Sequence, residues 1–239
     1  MLHFTILFFV LKIKNINFSF GNRLVLDGLD LTCEEGKTIG VLGLNGAGKT
    51  TFFRTLYGFY QAQNGTFTWN EKPLDRKDIA FLETDNYFYP FTKGLEYLQL
   101  MTEMKVEEVQ ILAWNELFEL PLDDIIDTYS TGMKKKLAFL GCLLQNRPIL
   151  LLDEPFNGID LESSERMFII LQKLRDSGKT IVLSSHILTS LTSVCDTIVH
   201  LQKGKIEKSY QRSNFDAFSL AIRQEVNDKI EIQLARLKF

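Results

Sequence analysis

The chain has 239 residues, enough for one large domain with a full hydrophobic core or for a domain that carries a subdomain. Its composition, 45% hydrophobic and 24% charged, is that of an ordinary globular protein and excludes wholesale disorder. The formal net charge of −3 gives no basic field, so we expect no nucleic-acid partner.

The first eleven residues are strongly apolar, but they are about half as long as the ~20 residues that a membrane span needs. They have no basic segment and no small-residue cleavage site before Lys12, so a signal peptide fits poorly. Residues 1–10 form an apolar extension with three open interpretations: an extra strand, a weak membrane-surface contact, or the product of an upstream start codon. Each of the remaining apolar runs in the sequence is interrupted by charged residues before it reaches the length of a membrane span.

The next segments have the patterns of β-strands. Residues 11–20 alternate between apolar and polar side chains, and residues 24–32 continue as a second strand after a turn at Gly21-Asn22. Asn64-Gly65 is a hairpin signal, and residues 66–69 alternate and are rich in β-forming types. We therefore expect an antiparallel β layer.

The most informative motif fits G-x-x-x-x-G-K-[ST]. It follows an apolar run at residues 38–42, and this run predicts a buried strand. Glycines in such a loop let backbone N–H groups point at phosphate oxygens. Lys49 adds a positive charge, the Thr50 hydroxyl can ligate Mg²⁺, and the helix predicted next directs its positive end at the same anion. The residues of this predicted phosphate loop are Gly43, Leu44, Asn45, Gly46, Ala47, Gly48, Lys49, Thr50 and Thr51.

The middle of the chain is predicted to be helical. Residues 93–105 and 106–120 have apolar side chains at helical spacing, with Pro121 as the stop. After Pro148, apolar strands and helices alternate again, which predicts a parallel sheet covered on both faces.

Together these patterns predict an α/β fold: a P-loop core with a mixed sheet, a flanking antiparallel β layer and an inserted α-helical subdomain. We expect this domain to span residues 11–239, with the helical subdomain at about 85–146 and a helical tail at about 210–239. In the tail, apolar residues recur every fourth position and favour a helix that packs on its own domain rather than on a partner. They are Phe218, Ile222, Val226, Ile230 and Leu234.

Three cysteines, Cys33, Cys142 and Cys195, lie far apart and form no C-x-x-C pair. A zinc site or a disulfide framework would need paired or closely spaced cysteines, so we expect neither. Buried, reduced thiols in a cytosolic protein are the better interpretation.

Two acids, Asp153 and Glu154, end the apolar strand predicted at residues 149–152. At the carboxyl end of a parallel strand, Asp153 can reach a Mg²⁺ shell, and Glu154 can polarise a water for attack on a γ-phosphate. Such a pair is weak by itself, but it becomes a strong signal downstream of a phosphate loop.

Three further segments have both a structural and a functional interpretation. Ser130 and Gly132 precede a predicted helix and form either a second anion site or a simple N-cap, the cap being the better explanation by itself. Asp160 belongs to a turn beyond the two acids, or it caps the next helix. His186 follows a strand, where a lone histidine is more often structural than catalytic.

In order and spacing these residues resemble the ATP-binding subunit of an ABC transporter, over residues 11 to about 209. The resemblance places residues 43–51 on the Walker A loop and residues 149–153 on Walker B. It makes Glu154, His186 and Lys49 catalytic residues, with His186 as the switch histidine.

The resemblance also implies nucleotide contacts outside the phosphate loop. It places Asp160 at the end of the D-loop and Phe20 on the aromatic residue that stacks against adenine. The alternative for Phe20 is a core position in its strand.

The chain departs from the family pattern at two places. The signature motif is usually Leu-Ser-Gly-Gly-Gln, and here residues 129, 131 and 133 differ, although Ser130 and Gly132, which would donate to a γ-phosphate, are kept. The Q-loop glutamine is absent, and Thr84 stands in its position. The resemblance therefore implies a metal set of Thr50, Asp153 and Thr84, in which the Thr84 hydroxyl reaches Mg²⁺ through a water. It also implies that residues 85–90 face the permease.

The resemblance further implies the assembly in which the chain works. The signature of one subunit closes over the ATP of another, so we expect a homodimer or heterodimer of ATP-binding subunits, with ATP and Mg²⁺ as cofactors. We expect a separate transmembrane permease that holds the chain at the cytoplasmic face of the cell membrane. The short helical region and the altered signature are similar to those of exporter-type ATPases, so ATP hydrolysis would power solute export.

Two other functions stay open. One is a soluble ABC-type ATPase in cofactor assembly; the single phosphate loop and the absence of a coiled-coil insertion separate the chain from translation and repair ATPases. The other is a nucleotide-binding module without turnover, which the altered signature favours and the intact Lys49, Asp153, Glu154 and His186 oppose. A neighbouring gene for a multi-span membrane protein would favour the transporter.

Overall fold

The computed structural model describes residues 10–234, so most of the apolar extension lies outside the described residues and its three interpretations stay open. In chain order the elements are β1 (Val10–Phe20), β2 (Arg23–Glu34), β3 (Thr38–Leu42), α1 (Lys49–Tyr57), β4 (Asn64–Trp69), β5 (Lys72–Pro73), β6 (Ile79–Leu82), α2 (Gly94–Met101), α3 (Glu108–Asn115), α4 (Thr131–Leu144), β7 (Ile149–Asp153), α5 (Leu161–Asp176), β8 (Thr180–Ser185), α6 (Leu188–Val194), β9 (Thr197–Gln202), β10 (Lys205–Gln211) and α7 (Phe215–Leu234).

Two sheets form the framework, which confirms the predicted mixed sheet and antiparallel layer. The larger sheet has the strand order β10-β9-β3-β8-β7-β6, in which all pairs are parallel except β10 with β9. The smaller sheet is antiparallel, with the order β2-β1-β4-β5. Because parallel strands end at the same edge, the segments after β3, β6, β7 and β8 all meet there.

The predicted hairpin at Asn64-Gly65 is wrong. These residues begin β4, and Gly65 has φ +95° where it passes β1, so that a Cβ there would lie 2.4 Å from the carbonyl oxygen of Lys14. The turn lies instead at Asn70 and Glu71, both with positive φ (51° and 63°), between β4 and β5. The glycine is needed for close backbone contact, and asparagine tolerates the left-handed conformation of the turn.

The helix α1 is packed in the apolar core that joins the two sheets. Its Phe52 and Phe53 are fully buried in a cluster with Ile13 of β1, Val41 of β3 and Leu151 of β7. Full burial of a phenylalanine side chain stabilises the fold by about 1.5–3 kcal/mol. The start of α1, directly after the phosphate loop, is therefore fixed relative to both sheets.

Between β6 and β7 the chain forms helices α2, α3 and α4, which pack on one another. Tyr129, at the changed first position of the signature, is buried, and its hydroxyl donates to the Pro121 carbonyl oxygen at 2.6 Å. Gly94 leaves room for this ring, since a Cβ there would lie 2.5 Å from the Tyr129 hydroxyl. The tyrosine therefore fixes the approach to α4 within this helical region.

The first two of these helices are shorter than predicted. Residues 93–105 yield only Gly94–Met101, because Glu103 and Met104 both adopt positive φ (54° and 57°), which ends the helix. Residues 106–120 yield only Glu108–Asn115, so the helix ends well before Pro121. The Asn115 side chain accepts from the backbone of Leu120 and donates to it, which stabilises a turn in place of further helix.

The first half of the tail helix α7 packs on the domain. Phe218 is buried and stacks on Tyr210 with a centroid distance of 3.9 Å, and Ile222 is half-buried against the same core. Ile230 and Leu234 are exposed, so the expectation that the whole apolar stripe packs is wrong for these two; the Val226 side chain lies outside the description. Within residues 10–234, every helix is too short or too polar to span a membrane.

The three cysteines are buried free thiols, as the sequence predicted. Burial raises the pKa of Cys33 and of Cys142 to about 12, and it raises the pKa of Cys195 well above its usual range. Because the thiolate is the reactive form, these thiols stay neutral and unreactive at neutral pH.

Candidate functional site

The phosphate loop connects β3 to α1 and depends on glycine at two close contacts. Gly48 has φ +108°, a conformation that other residues rarely adopt, and a Cβ there would lie 3.2 Å from the Val25 carbonyl oxygen. A Cβ at Gly43 would lie 2.8 Å from the Leu201 carbonyl oxygen. The glycines of the motif therefore let the loop follow its path against β2 and β9.

The side chain of Lys49 closes the loop from inside. It is buried, and its ammonium group donates to the Gly43 carbonyl oxygen at 2.7 Å. The same ammonium lies 3.1 Å from Oε1 of Glu154. A buried ammonium with three donor positions is well placed to bind anionic oxygen atoms at the mouth of the loop.

Glu154 lies between a lysine and a histidine. Its Oε2 is 3.0 Å from Nδ1 of His186, while Oε1 faces Lys49. The backbone of Glu154 has φ +50°, and its N–H donates to the Ser184 hydroxyl at 2.9 Å, which holds the turn after β7. Glu154 thus contacts both of the other residues predicted to be catalytic, and its carboxylate is held at the carboxyl edge of the sheet.

Asp153 is completely buried and accepts two hydroxyl hydrogen bonds. Ser184, its partner in the β7–β8 register, donates to Oδ1, and Thr84, which follows β6, donates to Oδ2 at 2.7 Å. The residues expected to hold Mg²⁺, Asp153, Thr84 and Thr50 of the loop, offer one carboxylate and two hydroxyls. Hard oxygen donors of this kind are the ligands that Mg²⁺ prefers, so the donor set fits this metal.

Charged side chains from helices α4 and α1 hold the segment around Thr84. Lys135 of α4 donates to the carbonyl oxygen of Thr84 at 2.7 Å and to that of Glu83 at 3.2 Å. Arg54 of α1 donates from Nε to Oε2 of Glu83 at 2.9 Å. Burial lowers the pKa of Lys135, although the nearby Asp153 acts in the opposite direction. Helices α1 and α4 therefore fix the position that replaces the Q-loop glutamine.

Lys49, Thr84, Glu154 and His186 line an open cavity of about 510 Å³. Phe20 lies at its edge and is 50% exposed, so the alternative of a core position is wrong; its ring packs edge-on against Phe18 and Tyr60. The predicted residues in the lining are Phe20, Leu44, Asn45, Gly46, Gly48, Lys49, Thr50, Thr51, Thr84, Glu154 and His186. The lining also includes Arg23, Val25 and Asn157.

Six predicted residues do not belong to the described lining of this cavity. Gly43 and Ala47 lie in the phosphate loop and Asp153 ends β7, while Ser130, Gly132 and Asp160 lie at the starts of α4 and α5. Ser130 caps α4 by accepting from the Met133 N–H at 3.2 Å, and Asp160 caps α5 by accepting from the Ser163 N–H at 2.8 Å. Ser130 and Asp160 therefore both act as N-caps in this chain, which is the structural role that the sequence allowed for each.

Sequence reasoning missed two residues that organise the site. Ser184 had a recognisable signal, because neighbouring parallel strands that end in Asp153 and Ser184 place the two side chains at one edge. Lys135 had none, since a lysine between two other lysines is normally a solvated helix residue.

Comparisons with known proteins identify the family of this chain. The ABC transporter family profile matches residues 26–157. The uncharacterized ABC transporter ATP-binding protein YhcH of Bacillus subtilis is 34% identical over 209 residues, which cover 82% of this chain and 68% of YhcH. The lantibiotic transport ATP-binding protein SrtF of Streptococcus pyogenes is 31% identical over 214 residues, which cover 85% of this chain and 93% of SrtF.

Solved structures show the same fold. An ATP-binding subunit of an ABC transporter superposes with a TM-score of 0.79 at 23% identity. The match covers 95% of this chain and 100% of the chain in that structure. The dimeric bacterial ABC transporter cassette MJ0796 superposes with a TM-score of 0.77 at 23% identity, over 84% of this chain and 98% of MJ0796. The chain belongs to the ABC transporter family, whose ATP-binding subunits dimerise and hydrolyse ATP to power transport by membrane permeases.

Proposed function

We propose that the cavity beside the phosphate loop binds Mg²⁺-ATP and that its hydrolysis powers export of a solute through a separate permease. The observation that carries this proposal is the contact of Glu154 with both Lys49 and His186, beside the buried Asp153. A nucleotide-binding module without turnover would not need a carboxylate held between a cation and an imidazole.

The residues of the cavity have separate roles in this proposal. Lys49 binds phosphate oxygens, and Glu154 accepts a hydrogen bond from the attacking water and polarises it. His186 holds the Glu154 carboxylate in position from the side opposite Lys49. Thr50, Asp153 and Thr84 would hold Mg²⁺, which supplies positive charge that stabilises the phosphates during hydrolysis.

A dimer would complete each site. Ser130 and Gly132 lie at the start of α4, outside their own chain's cavity, where exposed backbone N–H groups at a helix N-terminus favour an anion. We propose that they bind the γ-phosphate in the site of a second subunit, either a copy of this chain or a related one. The similarity in fold to the dimeric MJ0796 cassette supports this arrangement.

Phe20 is proposed to stack on the adenine ring. Its half-exposed ring lies at the cavity edge, and Phe18 and Tyr60 support it from below. Phe20→Ala should weaken ATP binding by about 1–3 kcal/mol, measured by calorimetry, whereas Phe20→Trp should bind as tightly as the parent. Equal affinities for the alanine variant and the parent would exclude adenine stacking at this position.

The segment after Thr84 offers a surface for the permease. Tyr87, Tyr89 and Phe91 are 73%, 56% and 82% exposed, an unusual concentration of aromatic surface between β6 and α2. We propose that this surface binds the permease and keeps the chain at the cytoplasmic face of the membrane. The similarity to SrtF, a lantibiotic transport ATP-binding protein, over 93% of its length supports a role in transport.

The transport function can be tested first by whether a neighbouring gene encodes a multi-span membrane protein, and then by co-purification of this chain with that protein. We expect a tagged membrane protein to retain the parent chain and to stimulate its ATPase activity. The double variant Tyr89→Ser/Phe91→Ser should lose at least about tenfold in retention, since buried aromatic anchors dominate such interfaces. The control Leu220→Ser removes an exposed side chain of α7 and should be retained normally. Normal retention of the double variant would contradict this docking surface.

A further inference from the structure

Lys135 is an unusual lysine, because its side chain is buried in the interior. It is 6% exposed, while its neighbours Lys134 and Lys136 are half-buried at the surface of α4. Burial of an ammonium group is costly unless hydrogen bonds and opposite charges compensate it. Here the compensation is specific: two backbone carbonyl oxygens accept from Lys135, and the negative charge of Asp153 opposes the effect of burial on its pKa.

Thr84 is held from two sides. Its carbonyl oxygen accepts from Lys135 at 2.7 Å, and its hydroxyl donates to Oδ2 of Asp153 at 2.7 Å. Lys135 therefore fixes the backbone from which the Thr84 hydroxyl projects. A change in the position of Lys135 must move this hydroxyl relative to the Asp153 carboxylate, or break one of the two hydrogen bonds.

We infer that Lys135 is a positioning residue for the metal site, and that it links the signature helix α4 to Asp153 through Thr84 within one chain. This role rests on the proposed function, in which Thr84 and Asp153 hold Mg²⁺. Residues that orient metal ligands through hydrogen bonds typically change metal affinity when they are replaced. Lys135 acts on a ligand indirectly: it binds the backbone carbonyl oxygen of Thr84, whose hydroxyl is the expected ligand.

The link has a consequence for a dimer. Ser130 and Lys135 belong to the same helix, Ser130 at its N-cap and Lys135 in its second turn. The N-cap would contact the nucleotide of the other subunit, while Lys135 contacts the metal ligands of its own site. Closure of α4 on one nucleotide would therefore be transmitted to the metal ligands of the second site.

The test compares ATP binding by the full chain in excess Mg²⁺ with ATP binding in EDTA. Lys135→Met keeps much of the apolar stem and removes every donor. We expect its ratio of ATP affinities, with Mg²⁺ over EDTA, to fall about tenfold, with affinity in EDTA within about twofold of the parent. Lys135→Gln, which keeps a shorter donor, should give a smaller fall. The control Lys136→Met should leave the ratio unchanged.

A double-mutant cycle tests the route through Thr84. Thr84→Val removes the hydroxyl that Asp153 accepts, so adding Lys135→Met to this variant should cause no further fall in the ratio. A tenfold fall in both backgrounds, or an unchanged ratio for Lys135→Met and Lys135→Gln, would overturn the positioning role. An equal loss of affinity in EDTA and in Mg²⁺ would also overturn it, since that pattern indicates a general structural role.

Failure of the proposed function would look different. The parent chain itself would then bind ATP no better in Mg²⁺ than in EDTA, and Lys136→Met would behave like it. Thermal unfolding of every variant shows whether the chain is folded, and Lys135→Gln replaces Lys135→Met if the methionine variant unfolds.

Discussion

Replacement of Glu154 with glutamine is expected to slow ATP turnover by about 10²–10⁴-fold while ATP binding persists. Glutamine keeps the shape of the side chain but removes the carboxylate that polarises the attacking water. It also removes a negative charge 3.1 Å from the Lys49 ammonium, so phosphate oxygens no longer compete with it for this cation. We expect phosphate release to fall in a steady-state assay, with ATP affinity by calorimetry at least equal to that of the parent.

The same variant tests the composite dimer. Because Glu154→Gln leaves ATP intact in the site, size-exclusion chromatography with ATP should show a dimer. Glu162→Gln, which changes an exposed glutamate of α5, is the matched control and should keep parental turnover. A monomer at every ATP concentration, with turnover nonetheless abolished, would contradict the composite site and leave the role of Glu154 standing. Parental turnover would contradict that role.

Lys49→Ala is expected to weaken ATP binding by about 100-fold or more, because loss of one partner of a buried charge pair costs about 2–5 kcal/mol. The ammonium is the buried cation that closes the loop, through the Gly43 carbonyl oxygen and Glu154. Its removal leaves phosphate oxygens without their charged donor and leaves the Glu154 carboxylate to repel them. Isothermal titration calorimetry with ATP measures the change.

A double variant separates these two effects. In Lys49→Ala/Glu154→Gln the repelling carboxylate is absent, so any loss of affinity reports the lysine–phosphate interaction alone. We expect this loss to remain at least about tenfold, since hydrogen bonds to charged groups are worth about 1.5–3 kcal/mol. Parental affinity for Lys49→Ala would show that the loop does not bind phosphate through this residue. Parental affinity for the double variant alone would assign the effect to Glu154.

Much of this protein was predictable because the relevant signals are local. Gly43, Gly48 and Lys49 lie within one short loop, where the two glycines leave room for close contacts and the Lys49 ammonium donates to the Gly43 carbonyl oxygen. The apolar runs that became β3, β7 and β8 are buried on both faces, which leaves a continuous pattern in the sequence. Asp153 and Glu154 follow such a run directly, so their place at the sheet edge was predictable as well.

The predictions failed where a local signal has more than one structural cause. Gly65 has positive φ because β1 passes close to it, whereas the sequence suggests a hairpin turn. The apolar stripe of α7 predicts packing along the whole helix, but only Phe218 among its described residues is fully buried, and Ile230 and Leu234 are exposed. Periodicity identifies a helix face, and it does not state how far the neighbouring surface extends.

The sequence by itself determined the phosphate loop, the two acids, the order of strands and helices, and the family that these imply. The tertiary structure alone decided how the metal ligands are held: Lys135 and Thr84 are 51 residues apart, Thr84 and Asp153 are 69, and Asp153 and Ser184 are 31. These contacts exist because β6, β7 and β8 are neighbours in the large sheet and α4 packs beside β6. Hydrogen bonds act over about 3 Å, so which side chains share one depends on how the elements pack, and sequence spacing carries no record of that.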